Sequence, residues 1–196
     1  MGIAIARAAR SRGWPTTLLL GPVSTTVPES LDPIRFETTH DLARLLDEQW
    51  PRHDMLIMAA AVSDYRPDLV PPGKIRHAGD LVLTLEPTED LLASLADRSR
   101  PGQVRIGFAL EDSQDMIERA RAKLRSKQLD AIVANPLATM DADIVNALLI
   151  DATSTSESPA NATKDVFADW LLETVASRYS PGIVETTPVQ GLDAEA

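Results

Sequence analysis

Two groups of cations in this 196-residue sequence have the composition and spacing to meet a polyanion. Lys74 and Arg76 lie within DLVPPGKIRHAGD (residues 68–80), whose prolines and glycines mark a loop. Arg119, Lys123 and Lys127 recur every fourth residue, beside an apolar stripe of Met116, Ile117, Ala120 and Leu124. On a helix that spacing makes a cationic ridge, although a ridge of this kind also reads as an ordinary solvated face. Ahead of the loop stands MLIMAAAVSDYRP (residues 55–67). Met55, Leu56, Ile57 and Met58 form the continuous apolar run of a strand covered on both faces, which then shrinks to Ala59, Ala60 and Ala61. Small side chains beyond the carboxyl end of a strand let a ligand approach the backbone, with Ser63, Asp64, Tyr65 and Arg66 supplying polar groups. The alternative is a buried strand followed by a surface turn.

Bulk composition narrows the chemistry. Lys plus Arg 19 against Asp plus Glu 29 gives 19 − 29 = −10, which argues against a general nucleic-acid or acidic-membrane surface. Any phosphate must therefore be met by local cations. The absence of cysteine removes disulfides, thiolate metal sites and a cysteine nucleophile, and favours a reducing compartment. No apolar run reaches membrane-spanning length, so a cytoplasmic location is expected. His40, His53 and His77 lack the spacing of paired metal ligands and read as cap, surface or loop residues; no metal-ligand set is legible. No G-x-S-x-G elbow and no G-x-G-x-x-G turn occurs, which weakens the hydrolase and dinucleotide-oxidoreductase readings.

The elements that must position these residues alternate. Residues 2–12 read as an amphipathic helix ended by Gly13, residues 16–20 and 34–38 as short strands, and residues 41–50 as a helix with Thr39 as its cap. The central strand over residues 55–61 follows. Residues 68–87 are an excursion containing a short β run, and a helix opens at Thr88, Glu89 and Asp90. Strands at 104–109, 129–134 (ended by Asn135 and Pro136) and 146–151 alternate with helices at 114–127 and 164–177. The Ser/Thr-rich stretch before Pro159 reads as a linker and residues 181–196 as a polar, acidic, frayed tail. This order predicts an α/β fold: a doubly wound, mainly parallel sheet with one excursion, in a single domain over residues 1–180.

Six strings in this order, MAAAVSDYRP, GKIR, EDLLASL, GFALE, ARAKLRSKQLD and IVANP, resemble the phosphopantothenate-cysteine ligase (phosphopantothenoylcysteine synthetase) family of coenzyme A biosynthesis. The similarity spans residues 1–151. The resemblance implies a Rossmann-like, cytoplasmic homodimer. It also implies a Mg²⁺-assisted, CTP-dependent ligation of phosphopantothenate with cysteine through an acyl-cytidylate. A flavin-dependent decarboxylase would be a separate partner, with no flavin expected in this chain. Position by position, the family's nucleotide-contacting lysines match Lys74, Lys123 and Lys127, with Lys74 as the catalytic candidate. Met58, Ala59 and Ala60 match its close backbone approach, Asp64 its polar contact beyond the strand, and Phe108 its aromatic position. Glu89, Asp90, Leu91 and Leu92 match the helix start that borders the site.

Two departures stand against this. Glu89 replaces the family's proline. The first strand and the Asn-x-Ser-Ser-Gly-like turn that precede the family's Met-Gly have no counterpart before Met1-Gly2. The alternative function is therefore a non-catalytic nucleotide-binding homologue. The choice between CTP and ATP is not legible.

Overall fold

A computed structural model describes residues 1–69, 72–76, 79–111, 114–137 and 142–179. The first helix, α1 (Gly2–Ser11), buries Ala4, Ile5, Ala6, Ala8 and Ala9. It leads to β1 (Leu19–Leu20), which pairs in parallel with β2 (Ile34–Arg35) through only two rungs. Helix α2 (Thr39–Gln49) follows. Its cap is Thr38, one residue before the expected Thr39. Thr38 Oγ1 accepts the Asp41 N–H and Asp41 Oδ2 accepts the Thr38 N–H, each at 3.0 Å, a reciprocal arrangement that satisfies two amides at once.

Five strands form the main sheet in the order β10-β9-β7-β6-β3. Here β3 is Met55–Met58, β6 Val104–Glu111, β7 Ala131–Pro136, β9 Leu148–Asp151 and β10 Thr155–Glu157. The pairs β3–β6 and β6–β7 are parallel, whereas β7–β9 and β9–β10 are antiparallel. An excursion of two short antiparallel strands, β4 (Tyr65–Pro67) and β5 (Leu85–Pro87), leads to α3 (Leu91–Ser94). Helix α4 (Met116–Ser126) links β6 to β7. A small antiparallel pair, β8 (Ile144–Val145) and β11 (Ala162–Thr163), leads into α5 (Lys164–Tyr179).

The sheet is covered on both faces, as an α/β arrangement requires. On one side Ile106, Ala131, Val133 and Leu149 pack against α1 and α5, with Phe167, Leu171, Leu172 and Val175 almost fully buried. On the other, Ala109, Ile132, Ala134 and Ile150 pack against Ala120 and Leu124 of α4 and Leu92 of α3. Gly107 is required here. A Cβ at this position would stand 2.9 Å from Leu129 Cδ1 and 3.2 Å from Leu92 Cδ1, so the glycine of GFALE serves packing. Buried Arg105 ties the same elements together by donating to the carbonyls of Leu92 (2.8 Å) and Gln128.

Three expectations are corrected. First, β3 is an edge strand, it stops at Met58, and its four residues are half-buried. Among the described residues nothing pairs with its outer edge, and the β1–β2 pair stands apart from the main sheet. Second, residues 153–159 are no linker. Asp151 Oδ1 accepts the N–H groups of Thr153 (2.8 Å) and Ser154 (2.6 Å), a turn that folds β10 back onto β9. The same Ser and Thr content that reads as flexible supplies the turn's donors. Third, Asn135 and Pro136 belong to β7 rather than ending it. His77 and the tail from residue 180 lie outside the described residues.

The Asp151 turn carries a pH dependence. Burial alone would raise its pKa, but hydrogen bonds from Ser154 and Thr153 outweigh burial and hold it at about 2. Arg178 at 2.6 Å closes the clasp from α5. A carboxyl whose folded pKa lies below its unfolded value of 3.8 stabilises the fold fully above that value. The contribution is lost as pH falls from about 4 to about 2 and amounts to about 2 kcal/mol. Asp151→Asn is expected to lower stability at pH 7 by that order and to flatten the acid limb of the stability curve, as read by urea titration at stepped pH.

Candidate functional site

A cavity of about 1030 Å³ separates β1 from β3. Leu18, Leu19 and Leu20 line it together with Met55–Met58 and the three alanines 59–61, and Met1 and Gly2 at the start of α1 also line it. Met58, Ala59 and Ala60, the residues expected to approach the nucleotide, thus stand in the wall of a real opening. Ala59 is half-buried and Ala60 exposed, so their backbone is accessible. The Met1 amine is held below its usual range, first by burial and then by Lys164.

Helix α4 lays the ridge along one face of the sheet, and its last turn ends beside Arg105 at the start of β6. Lys123 Nζ lies 2.6 Å from Glu111 Oε1, at the end of β6, and Lys127 Nζ lies 3.0 Å from Asp90 Oδ2, just ahead of α3. The third cation of the stripe, Arg119, is only 3.9 Å from Asp115 on its own helix and is exposed. Both expected phosphate lysines therefore already face carboxylates.

The helix start expected at Glu89, Asp90, Leu91 and Leu92 is formed, with Asp90 as its cap. α3 has four residues, and its Ala93 N–H is taken by Asp90 Oδ1 at 3.1 Å. Leu91 and Leu92 are buried in two different core clusters, because successive residues of a helix point about 100° apart around its axis. Glu89 lines a separate groove of about 300 Å³ between α2 and α3, with Asp47 and Arg98.

Phe108 is half-buried and meets Phe167 edge-on, with ring centroids 6.4 Å apart at 73°. Strand alternation puts it on the α1/α5 face, whereas Glu111 and the two lysines lie on the α4 face. A ligand touching all of them must cross the carboxyl edge of the sheet. Asp64 is exposed; its carbonyl accepts the Thr88 N–H at 2.9 Å, closing the base of the excursion. Lys74 is exposed on the excursion and makes no hydrogen bond or ion pair among the described residues. The structure brings together Met58 with the alanines, and Lys123 with Lys127; it does not bring Lys74 to either group.

Three polar residues here escaped sequence reasoning. Thr88 Oγ1 and Asn135 Oδ1 are buried without a hydrogen-bond partner, and Glu111 Oε1 has a charge 2.6 Å away but no aligned hydrogen bond. The available signal was a glutamate ending the apolar run of β6 and an asparagine preceding a proline, the latter easily read as a terminator. His53 is satisfied by Gln49 O (2.8 Å) and Thr17 Oγ1 (3.0 Å), in keeping with a structural role. Among the described residues no group of three or more His, Asp or Glu is placed to hold a metal ion, and no helix is long and apolar enough to cross a membrane.

Residues 1–179 match the family described as the DNA/pantothenate metabolism flavoprotein C-terminal domain. The chain belongs to this family. It is 41% identical over 140 residues to a cysteine/cysteine sulfinic acid decarboxylase from an unknown prokaryotic organism, covering 70% of this chain and 38% of that protein. It is 27% identical over 173 residues to the coenzyme A biosynthesis bifunctional protein CoaBC of Borreliella burgdorferi, covering 87% of this chain and 44% of that protein. The chain thus spans less than half the length of these curated relatives. Among solved structures, the C-terminal domain of a CoaBC protein superposes with a TM-score of 0.74 at 29% identity, over 90% of this chain and 80% of that one. An alanine variant of Cab2 in complex with phosphopantothenate-cysteine superposes with a TM-score of 0.72 over 92% of this chain and 77% of that one. Its 16% identity extends the likeness to the fold alone. Family membership accounts for the mixed, Rossmann-like α/β architecture with its parallel strands β3, β6 and β7.

Proposed function

We propose that this chain is a ligase-type domain of coenzyme A biosynthesis that joins phosphopantothenate to cysteine at the expense of CTP. The carrying observation is Lys123 and Lys127 one turn apart on the sheet-packed helix α4, reaching Glu111 and Asp90, in a family whose solved members include a CoaBC domain. In a chain of net charge −10, two lysines one helical turn apart supply local ammonium donors for a triphosphate, each of them paired with a carboxylate in the free protein. In this reading a carboxylate oxygen of phosphopantothenate attacks the α-phosphorus of CTP, the bond to the bridging oxygen breaks, and pyrophosphate leaves. The cysteine amine then attacks the acyl carbon, the bond from that carbon to the CMP oxygen breaks, and the nitrogen loses one of its protons while the amide keeps the other. The lysines neutralise the phosphates, Ala59 and Ala60 admit the ligand against the backbone, and Lys74 closes from the excursion. The described residues form no magnesium cage of their own, so MgCTP is treated as the substrate. The exposed apolar run of the excursion, with Leu81, Val82, Leu83 and Leu85 all more than half exposed, supports a homodimer in which this arm meets a second copy. The decarboxylase relative shares the domain, and no residue of this chain speaks for decarboxylation.

Calorimetric titration tests the phosphate reading. CTP is expected to bind about tenfold or more tightly than CMP, and the doubly substituted Lys123→Ala/Lys127→Ala protein should lose most of that difference. Equal losses for both nucleotides would mean that the substitutions act through the fold. An unchanged CTP preference would remove the ridge from the site.

A further inference from the structure

We infer that Glu111 is a positioning residue, aiming the Lys123 ammonium at the phosphate chain; this rests on the ligase reading above. Glu111 ends β6 and is only 5% exposed. A carboxylate at that depth needs a matching positive charge, and Lys123 is its one ion-pair partner among the described residues. The two members are unequal. The Glu111 side chain is 6% exposed and that of Lys123 46%, so the carboxylate is fixed and the lysine reaches in from solvent. An ammonium carries three donors, and a single carboxylate oxygen 2.6 Å away takes at most one. The others remain on the exposed side, where an incoming anion would find the lysine's rotamers already restricted.

Stability is a poor explanation for the pair. A buried ion pair gains little over well-packed apolar side chains of similar volume, and the rest of this strand face is apolar or Gly107 apart from Arg105 at its far end. Among the described residues no hydrogen bond to the Glu111 carboxylate caps a helix or closes a turn, and Oε1 is left without an aligned donor. The neighbouring Asp90–Lys127 pair differs in that Asp90 caps α3, which gives it a structural reason to be present.

The sign of one substitution separates positioning from simple charge. Glu111→Gln keeps shape and an acceptor oxygen but removes a negative charge near the phosphates. Coulomb's law alone would then tighten CTP binding, whereas loss of the aimed ammonium weakens it. CTP titrations with the full chain are expected to show about tenfold weaker binding for Glu111→Gln, equivalent to about 1.4 kcal/mol, with CMP affected less than about twofold. In the Lys123→Ala background the same substitution should change CTP affinity by less than about twofold. Glu111→Asp, which keeps the charge but draws it back, should fall between wild type and Gln. It also supplies the measurement if Gln does not fold. Unchanged or tighter CTP binding by Glu111→Gln with the fold intact overturns the inference. So does an equal loss in both backgrounds. If Lys123→Ala alone leaves CTP affinity unchanged, the phosphate reading of the ridge fails and takes this inference with it; if it weakens CTP but Glu111 variants do not, only the positioning role falls.

Discussion

Lys74→Ala is expected to lower cysteine-dependent pyrophosphate release by about 100-fold while moving the melting temperature by less than about 1 °C. The two halves of this expectation have separate grounds. Lys74 is exposed and makes no described contact, so removing it costs the fold about 0.5 kcal/mol or less. A cation engaged with transferring phosphate is worth several times that in the transition state, because its interaction strengthens as charge develops on the leaving group. The expectation rests on the proposed ligation, in which Lys74 meets the nucleotide from the excursion. The assay is steady-state turnover with CTP, phosphopantothenate and cysteine, accompanied by a thermal melt. Normal turnover and CTP affinity in the variant would remove Lys74 from the mechanism.

The second large effect concerns the opening between β1 and β3. A version in which a short apolar strand and a polar turn lead into Met1 is expected to melt about 5 °C higher and to release pyrophosphate faster than the 196-residue chain. The outer edge of β3 has no described partner, and the cavity beside it is walled by Leu18, Leu19, Leu20, Leu56 and Ile57. Each large apolar side chain buried there contributes about 1.5–3 kcal/mol before the cost of ordering the strand. A net gain of about 2 kcal/mol corresponds to the stated rise. The proposed ligation adds the chemical half: a polar turn leading into Gly2 would aim backbone N–H groups into the opening. An extended protein with unchanged melting temperature would show that the opening is not a strand site. Full synthetase activity of residues 1–196 alone would show that the turn is dispensable.

Much of the architecture was legible in the pattern of apolar residues. The stripe Met116, Ala120, Leu124 specified α4 and its cationic face together, since burying one side of a helix fixes the other. The runs in β6 and β7 read as strands, and they are strands, almost wholly buried. Where the reading failed, the missing information was nonlocal. Nothing in MLIM distinguishes an edge strand from a central one, because the distinction depends on which partner is present rather than on the strand itself. The β10 hairpin was hidden because Asp151, Thr153 and Ser154 have polar side chains whose hydrogen bonds appear only when the backbone turns. In the candidate site, Lys123 and Lys127 were visible through their spacing and Met58–Ala60 through their size. Glu111 and Asp90 were not seen as partners of those lysines, since each pair joins residues far apart in the chain.

The weak attachment of the β1–β2 pair has a further consequence. Its two parallel rungs contrast with the six that join β6 to β7, at the centre of both principal cores. Cooperative opening costs roughly what must be unpacked, so the β1–β2 pair forms a shallow unit resting on a deep one. Its amides can exchange with solvent through local excursions, while those of Ile132 and Val133 must wait for global unfolding. Mutations that empty the deep core would therefore be felt everywhere. Those around Leu19 and Ile34 would change how often one flank of the ligand opening comes apart, without touching the equilibrium of the whole.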